Sequence, residues 1–136
     1  MSHITVEQVQ RGIAAGIAKA RALNSPSSIA IVDAGRTLIG FARMEQALLA
    51  SVELSQRKAY TARSLNMRTG EIMPLVQPGA PLYGMDVAHN PPLIVFGGGQ
   101  PISRDGHVIG AVGVSGGLVP DDEEVAAAVA EAVVAA

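Results

Sequence analysis

The sequence contains no cysteine and very few aromatic residues. Without cysteine, the chain cannot form disulfides, thiolate-bound zinc sites, iron–sulfur clusters or a covalent c-type haem attachment. Aromatic residues make up 3% of the chain and tryptophan is absent, so the stacking platforms that single-stranded nucleic acids need are nearly missing. The core must therefore be built from the aliphatic residues that bring the hydrophobic fraction to 49%.

The sequence also lacks a basic run and a long apolar segment. The formal net charge is −2 and lysine and arginine form no tail, so we expect no nucleic-acid partner. No stretch approaches the roughly 20 apolar residues that cross a bilayer, and the first residues contain no apolar targeting region. We therefore expect a cytoplasmic protein without a membrane partner. Its 136 residues are the size of one domain, predicted to span 1–136.

Hydrophobic spacing and turn residues predict the element order α-β-β-α-loop-β-β-β-α. A capping box at Thr5 and Gln8 begins a first helix, and Pro26 ends it nearby. The second helix is predicted over 47–65, and a third opens at Pro120. The predicted strands cover 28–33, 37–43, 93–96, 100–103 and 107–115. Because their connections are short, we expect a mostly antiparallel sheet of four or five strands flanked by helices, an α/β (α+β) domain.

Two loops contain residues with a specific predicted role. Gly35 is expected to supply the positive φ that the tight turn of the first hairpin needs. The segment 66–92 is rich in proline and glycine, and long loops of this kind are often functional. His89 lies in it and is a candidate ligand or proton-transfer group. His3 and His107 are expected to be solvated, and the wide spacing of the three histidines predicts no metal site.

The glycine-rich segments match two catalytic motifs only superficially. The segment from Gly113 to Gly117 has the G-x-S-x-G pattern of a nucleophile elbow around Ser115, but no histidine follows it in the chain. Gly98 lies in a glycine run that lacks the lysine of a phosphate loop. We interpret both segments as places where a backbone packs closely or borders a cavity. Gly98 and Ser115 are accordingly candidate ligand-binding residues.

Charge is distributed unevenly along the chain. Residues 43–68 carry two acids, Glu45 and Glu53, against five cations, whereas residues 105–136 carry six acids and no cation. This polarity favours a site for a carboxylate-bearing ligand near the second helix, or the pairing of unlike faces between subunits. For Arg57 and Arg63, an ordinary solvated helix face is an equally good interpretation. The five cations are Arg43, Arg57, Lys58, Arg63 and Arg68.

Several motifs together resemble the GlcG/HbpS-like family, in order over about residues 5 to 130. They are Ile31-Val-Asp-Ala-Gly35, Phe41-Ala-Arg-Met-Glu45, Ser51 leading to Lys58-Ala-Tyr-Thr-Ala62, Gly98-Gly-Gln-Pro-Ile102, and Asp105-Gly-His-Val-Ile-Gly-Ala-Val-Gly-Val-Ser-Gly-Gly117 with Asp122-Glu123. This family also includes the C-terminal domain of some corrinoid adenosyltransferases. The resemblance implies a profilin-like domain, usually assembled into dimers or larger oligomers. Some members bind haem, and one lineage is described as hydrolysing a muconate-type product of aromatic degradation. Glu45 stands where many members have aspartate.

A first hypothesis is therefore a small-molecule-binding protein, with haem as a candidate cofactor. Its pocket would lie between the second helix, the 66–92 loop and the glycine-rich strands. Ligand carboxylates would be met by Arg43, Lys58 or Arg68. The iron would be approached by His89, Met44 or Tyr83.

A second hypothesis is a hydrolase, isomerase or lyase acting on an unsaturated carboxylate. Arg43 and Glu45 lie two residues apart, which places both on one side of a strand and lets them face one cleft. Arg43 or Lys58 would anchor the carboxylate, and Glu45 or His89 would transfer protons. The candidate catalytic residues are thus Glu45, Lys58 and His89. A third hypothesis is a homo-oligomeric accessory subunit without chemistry.

Overall fold

The chain folds around a four-stranded sheet with the order β2-β1-β4-β3. The two central strands are β1 (Ser28–Asp33) and β4 (His107–Ser115), and the edges are β2 (Leu38–Arg43) and β3 (Gly99–Arg104). In this computed structural model, which describes residues 3–136, every strand pair is antiparallel, as expected from the short connections. Ile31 lies opposite Gly40 on one side and Val112 on the other.

Helices cover both faces of the sheet. Helices α1 (Val6–Ala22) and α4 (Val119–Val134) pack together on one face, and α2 (Ser51–Leu65) covers the other. The α1/α4 side holds the larger aliphatic core, which includes Ile29, Ile31, Val112, Val114 and Val129. The α2 side is lined largely by alanine: Ala30, Val32 and Ala111 of the sheet meet Ala59 and Ala62 of the helix. Small side chains therefore let α2 approach the sheet closely.

Local signals determine both ends of α1. Thr5 and Gln8 form the predicted capping box, with the Thr5 amide 2.8 Å from Gln8 Oε1 and the Gln8 amide 3.1 Å from Thr5 Oγ1. Helix α1 ends at Ala22, shortly before the proline that was expected to stop it. Helix α2 begins at Ser51, later than predicted, because 44–47 form a turn in which Gln46 takes a φ of 72°.

Two sequence-based expectations are wrong. The segment 93–96 is not a strand: the Leu93 amide donates to Asp86 O and the Ile94 amide to Thr61 Oγ1, both at 3.0 Å, outside any strand ladder. In the β1–β2 turn, the positive φ of 69° belongs to Arg36 rather than to Gly35. The Asp33 side chain holds that turn by accepting the amides of Gly35 and Thr37, both at 2.9 Å.

The segment between α2 and β3 wraps over the α2 side of the sheet. It contains two short 3₁₀ turns, Thr69–Glu71 and Met73–Leu75, and the one-turn helix α3 (Met85–Ala88). The Asn90–Pro91 peptide bond is cis. Among the described residues, no helix is long and apolar enough to cross a membrane.

Candidate functional site

Two side chains from separate parts of the chain contact Tyr60, which lies in the middle of α2. The Arg36 guanidinium carbon lies 4.5 Å from the centre of the Tyr60 ring, a cation–π contact from the β1–β2 turn. The His89 ring meets the same tyrosine edge-on, with ring centres 5.5 Å apart and planes at 79°. The tyrosine thus brings the first hairpin and the segment after α3 to one place on the α2 side of the sheet.

A hydrogen bond to the backbone orients His89. Its Nδ1 lies 3.3 Å from the carbonyl oxygen of Pro91. A carbonyl oxygen can only accept, so in this bond Nδ1 carries the proton and donates. The neutral ring then keeps the lone pair on Nε2, which is the form of histidine that binds a metal or accepts a proton.

A cleft of about 210 Å³ opens beside this cluster, and we call it the Tyr60 cleft. Its apolar wall is made by Val32, Leu38 and Pro91, and its polar residues are Arg36, Gln56, Arg57 and Tyr60. Arg57 is oriented by an ion pair one helical turn away, with Nη2 2.7 Å from Glu53 Oε1. An apolar wall with arginines at its border suits a flat or small molecule that carries a negative group.

Lys58 occupies a different environment from its neighbour Arg57. Its side chain is 1% exposed, and Nζ donates to Val114 O at 2.8 Å and to Asp122 Oδ2 at 3.3 Å. The Phe96 ring centre lies 4.9 Å from the same nitrogen. Burial lowers the pKa of Lys58 and raises the pKa of Asp122, while the attraction between the two opposes both changes. The Asp122 carboxylate also accepts the Gly117 amide at 3.0 Å.

The glycine run that contains Gly98 and the segment from Gly113 to Gly117 permit close packing around the ion pair of Lys58 and Asp122. Gly98 has a φ of 127°, and a side chain there would collide with Lys58 Nζ and the carbonyl of Val114. A side chain at Gly113 would meet the α2 backbone at Ser55 and Ala59. Gly98 also borders a second cavity of about 210 Å³, together with Arg68 and Glu123. These positions match the interpretation that the backbone packs closely or borders a cavity.

The structure divides the predicted site residues among several places. Lys58 and Gly98 lie together, and buried Ser115 follows the Val114 carbonyl that Lys58 contacts. His89 lies apart from them in the cluster around Tyr60. Arg68 is exposed at the cavity beside Gly98.

Four further candidates lie away from the Tyr60 cleft. Arg43 is exposed at the end of β2, and its Nη2 donates to Ala47 O at 2.8 Å. The strand stops there, so Glu45 follows in a turn and the pair does not share one face of a strand. Met44 packs against the main core, and Tyr83 is 68% exposed.

Sequence reasoning missed Arg36, Tyr60 and Asp122. Asp122 belongs to an acidic run at the start of a helix, and nothing in the run distinguishes it from its neighbours. Arg36 follows a glycine in a turn, where an exposed charge is ordinary. Tyr60 offered the better signal, because a tyrosine on a helix in an aromatic-poor chain is a natural centre for a cluster. Across residues 3–136, no group of three or more histidine, aspartate or glutamate side chains could hold a metal ion.

Comparison with known proteins relates this architecture to a family. Residues 4–131 match the family model described as haem degrading protein HbpS-like. An uncharacterised 15.0 kDa protein from the dhaT–dhaS intergenic region of Citrobacter freundii is 43% identical over 119 residues, covering 88% of this chain and 84% of that protein. The chain spans 33% of the length of another relative, the corrinoid adenosyltransferase PduO of Salmonella typhimurium.

Two solved structures share the fold over nearly their full length. The Klebsiella pneumoniae protein ORFY superposes with a TM-score of 0.95 at 38% identity, covering 100% of this chain and 94% of that one. The haem complex of PduOC superposes with a TM-score of 0.91 at 37% identity, covering 96% and 94%. With its sequence matched from residue 4 to residue 131 and its sheet and helices shared with these structures, the chain belongs to the HbpS-like family.

Proposed function

We propose that this protein binds a small anionic molecule in the Tyr60 cleft, with haem as the candidate cofactor. The observation that carries the proposal is the cleft that Arg36, Arg57 and Tyr60 line together with an apolar wall. His89 is not one of the lining residues, but its ring contacts Tyr60 edge-on. Each residue has a defined part. The arginines bind the negative groups through charge-assisted hydrogen bonds, and the histidine presents Nε2 to the ligand.

The donor groups around Tyr60 are of the types that hold haem, whereas the cleft of about 210 Å³ is smaller than usual ligand pockets, so a haem macrocycle would extend beyond it. His89 would hold the iron through Nε2, because its other ring nitrogen is engaged with a backbone carbonyl, as is usual for metal-binding histidines. Arg36 and Arg57 would bind the propionates, and Val32 and Leu38 would pack against the porphyrin. Bound haem supplies an iron centre for ligand binding or redox chemistry. Similarity to PduOC, whose structure holds haem, supports this ligand.

Haemin titration of the purified chain tests the proposal. We expect the Soret band to shift and to saturate near one haem per chain. The His89→Ala variant should lose the shift or weaken binding by at least about tenfold, the lower end of the effect of disturbing a metal site. His107→Ala is the matched control, because His107 is exposed at the start of β4 and should bind as the wild type does. A wild-type chain without saturable binding, or equal losses in both variants, contradicts the proposal.

A second candidate is an enzyme acting on a small unsaturated carboxylate, and the size of the cleft favours it. Ligand pockets usually enclose about 300–1,000 Å³, whereas the Tyr60 cleft has a volume of about 210 Å³. Arg36 or Arg57 would anchor the carboxylate and His89 would transfer protons. Loss of substrate absorbance during incubation with unsaturated carboxylates measures turnover. Glu45→Gln and Lys58→Ala test the catalytic roles predicted for those residues, and unchanged turnover in a variant removes its residue from the reaction.

Homo-oligomer formation also belongs to the proposal. An apolar groove of about 430 Å³ runs between α1 and the edge strand β2, with Ile13, Ile39 and Phe41 among its lining residues. An exposed edge strand with apolar neighbours supports association with a second copy. Light scattering after size-exclusion chromatography should give at least twice the 13.9 kDa of one chain. A single 13.9 kDa species at micromolar concentration contradicts it.

A further inference from the structure

Another cavity, distinct from the one beside Gly98, lies next to the Tyr60 cleft and shares Arg36 with it. It has a volume of about 180 Å³ and is lined by Ala34, Arg36, Arg63 and Ser64. Arg63 projects from α2 toward the β1–β2 turn and donates from Nε to Ala34 O at 2.8 Å. Arg36 reaches back from the turn and donates from Nη1 to Ser64 Oγ at 3.2 Å. Two guanidinium groups from different elements are therefore fixed at one small cavity.

Neither guanidinium has a carboxylate partner. Arg63 donates from Nη1 to the amide oxygen of Asn66 at 2.8 Å, and its remaining contact is the Ala34 carbonyl. Among the described residues, the Arg36 guanidinium makes its polar and cation–π contacts with the Ser64 hydroxyl and the Tyr60 ring. Among the ion pairs formed by residues 3–136, none includes Arg36 or Arg63, whereas Arg57 is paired with Glu53. The cavity therefore carries positive charge that the protein itself does not neutralise.

The acidic residue nearest in sequence is already engaged elsewhere. Asp33 Oδ1 accepts the Gly35 and Thr37 amides within the turn, and it is not paired with either arginine. The Nη2 groups of Arg36 and Arg63 remain available as donors. The Ser64 hydroxyl donates its proton to Tyr60 O at 2.7 Å, so the donors for an anion are those of the two arginines. Paired arginine donors are well suited to a carboxylate or phosphate.

The backbone at Arg36 adds an independent observation. Its φ of 69° lies in the left-handed region, which costs a residue with a side chain roughly 1–2 kcal/mol. Gly35 stands next to it and would accept this conformation without that cost, yet the turn places the arginine there. Unfavourable backbone conformations that persist in a structure are found preferentially at binding sites. The conformation directs Arg36 toward both Tyr60 and Ser64.

We propose that the cavity formed by Ala34, Arg36, Arg63 and Ser64 is a second anion subsite, so that the ligand of this surface carries two negative groups. This inference rests on the proposed function. One group binds in the Tyr60 cleft between Arg36 and Arg57. The other binds between Arg36 and Arg63, and Arg36 contacts both. The preferred ligand class is a dianion, such as a dicarboxylate, over a monoanion of the same size.

Matched ligands that differ by one charge test the inference. Isothermal titration calorimetry would compare succinate, adipate and suberate with the monomethyl ester of each. We expect at least one dicarboxylate to bind the wild type about tenfold more tightly than its ester, since a second charge-assisted interaction is worth about that ratio. Arg63→Ala should bring the affinities for the acid and its ester to within about threefold of each other, mainly by weakening binding of the acid.

Control variants separate the subsite from effects on folding. Arg63→Gln keeps an amide donor for Ala34 O but loses the charge, so it should lose the preference for two charges as Arg63→Ala does. Arg21→Ala, on the exposed last turn of α1, should keep the preference for the ligand with two charges. The inference is overturned if the wild type binds each acid and its ester equally, or if Arg63→Gln keeps the preference for the acid. Either result leaves the proposed function standing. Failure of every carboxylate and of haemin to bind the wild type overturns the proposed function and this inference together.

Discussion

Replacing Lys58 by methionine should cost the protein about 3–5 kcal/mol of folding free energy at pH 7.5, because it leaves a buried carboxylate without its partner. At the 3.3 Å separation of Lys58 Nζ and Asp122 Oδ2, the attraction is about 5 kcal/mol for an effective dielectric constant near 20. Removing the lysine also removes the free-energy cost of burying its charge. The net loss of folding free energy should therefore not exceed the attraction of about 5 kcal/mol. Methionine has a similar length and leaves no large cavity.

The loss should depend on pH with a defined sign. Burial raises the pKa of Asp122 and Lys58 opposes that rise, so the pKa of Asp122 should increase further in Lys58→Met. A carboxyl group whose folded-state pKa is raised contributes stability below its unfolded pKa, and that contribution is lost as the pH rises through the folded pKa. The difference in stability between wild type and Lys58→Met should therefore be larger at pH 7.5 than at pH 5.0.

Urea denaturation followed by far-ultraviolet circular dichroism measures these differences, since the chain has no tryptophan. Adding Asp122→Asn to Lys58→Met should recover at least about 1 kcal/mol at pH 7.5, because the buried charge is gone while the Gly117 contact can persist. Lys19→Met is the control, since Lys19 and Glu124 form an exposed pair that should contribute between about 0 and 1 kcal/mol. A loss below about 1 kcal/mol in Lys58→Met, or a larger loss at pH 5.0, would refute the reasoning.

Three further features are tested by variants and their controls, with urea denaturation measuring stability and calorimetric titration measuring anion binding. Gly113→Ala should destabilise the protein by about 2–3 kcal/mol because its methyl group would collide with α2. Gly35→Ala should change stability by less than about 1 kcal/mol, because its methyl group would make only an ordinary contact with Asp33 Oδ1 at 3.5 Å; equal losses in the two variants would contradict this packing. Thr5→Ala should cost about 1 kcal/mol by removing the cap of α1, and no loss would mean that the capping box is not formed in solution. Arg36→Gly should leave stability within about 1 kcal/mol of wild type, because relief of the left-handed backbone offsets the lost Tyr60 contact, while abolishing anion binding. Gln46→Gly, at another left-handed position, should keep binding, and loss of binding there would contradict the assignment.

The sequence by itself predicted the elements whose signals are short-range. The capping box at Thr5 and the proline after α1 act within a few residues, so the ends of that helix could be read directly. The same is true of β1, β2 and β4, whose apolar runs and short turns imply an antiparallel sheet. Prediction failed where a local pattern was compatible with either a strand or an irregular segment. The apolar run 93–96 could have joined the sheet, but its first two amides bond instead to Asp86 O and Thr61 Oγ1.

The tertiary structure alone decided which candidate residues meet. Lys58 and Asp122 lie 64 positions apart, and no periodicity in either helix indicates that one would bury its charge against the other. The sequence proposes His89 as a candidate for the same site as Glu45 and Lys58, whereas in the structure its ring contacts Tyr60, the residue that Arg36 also contacts. The physical reason is range: periodicity and turn chemistry specify an element from its neighbours in the chain, whereas the composition of a site depends on how distant elements pack. In this protein α2 packs closely on a sheet lined by alanine and glycine, and this packing places Lys58 where it contacts Asp122.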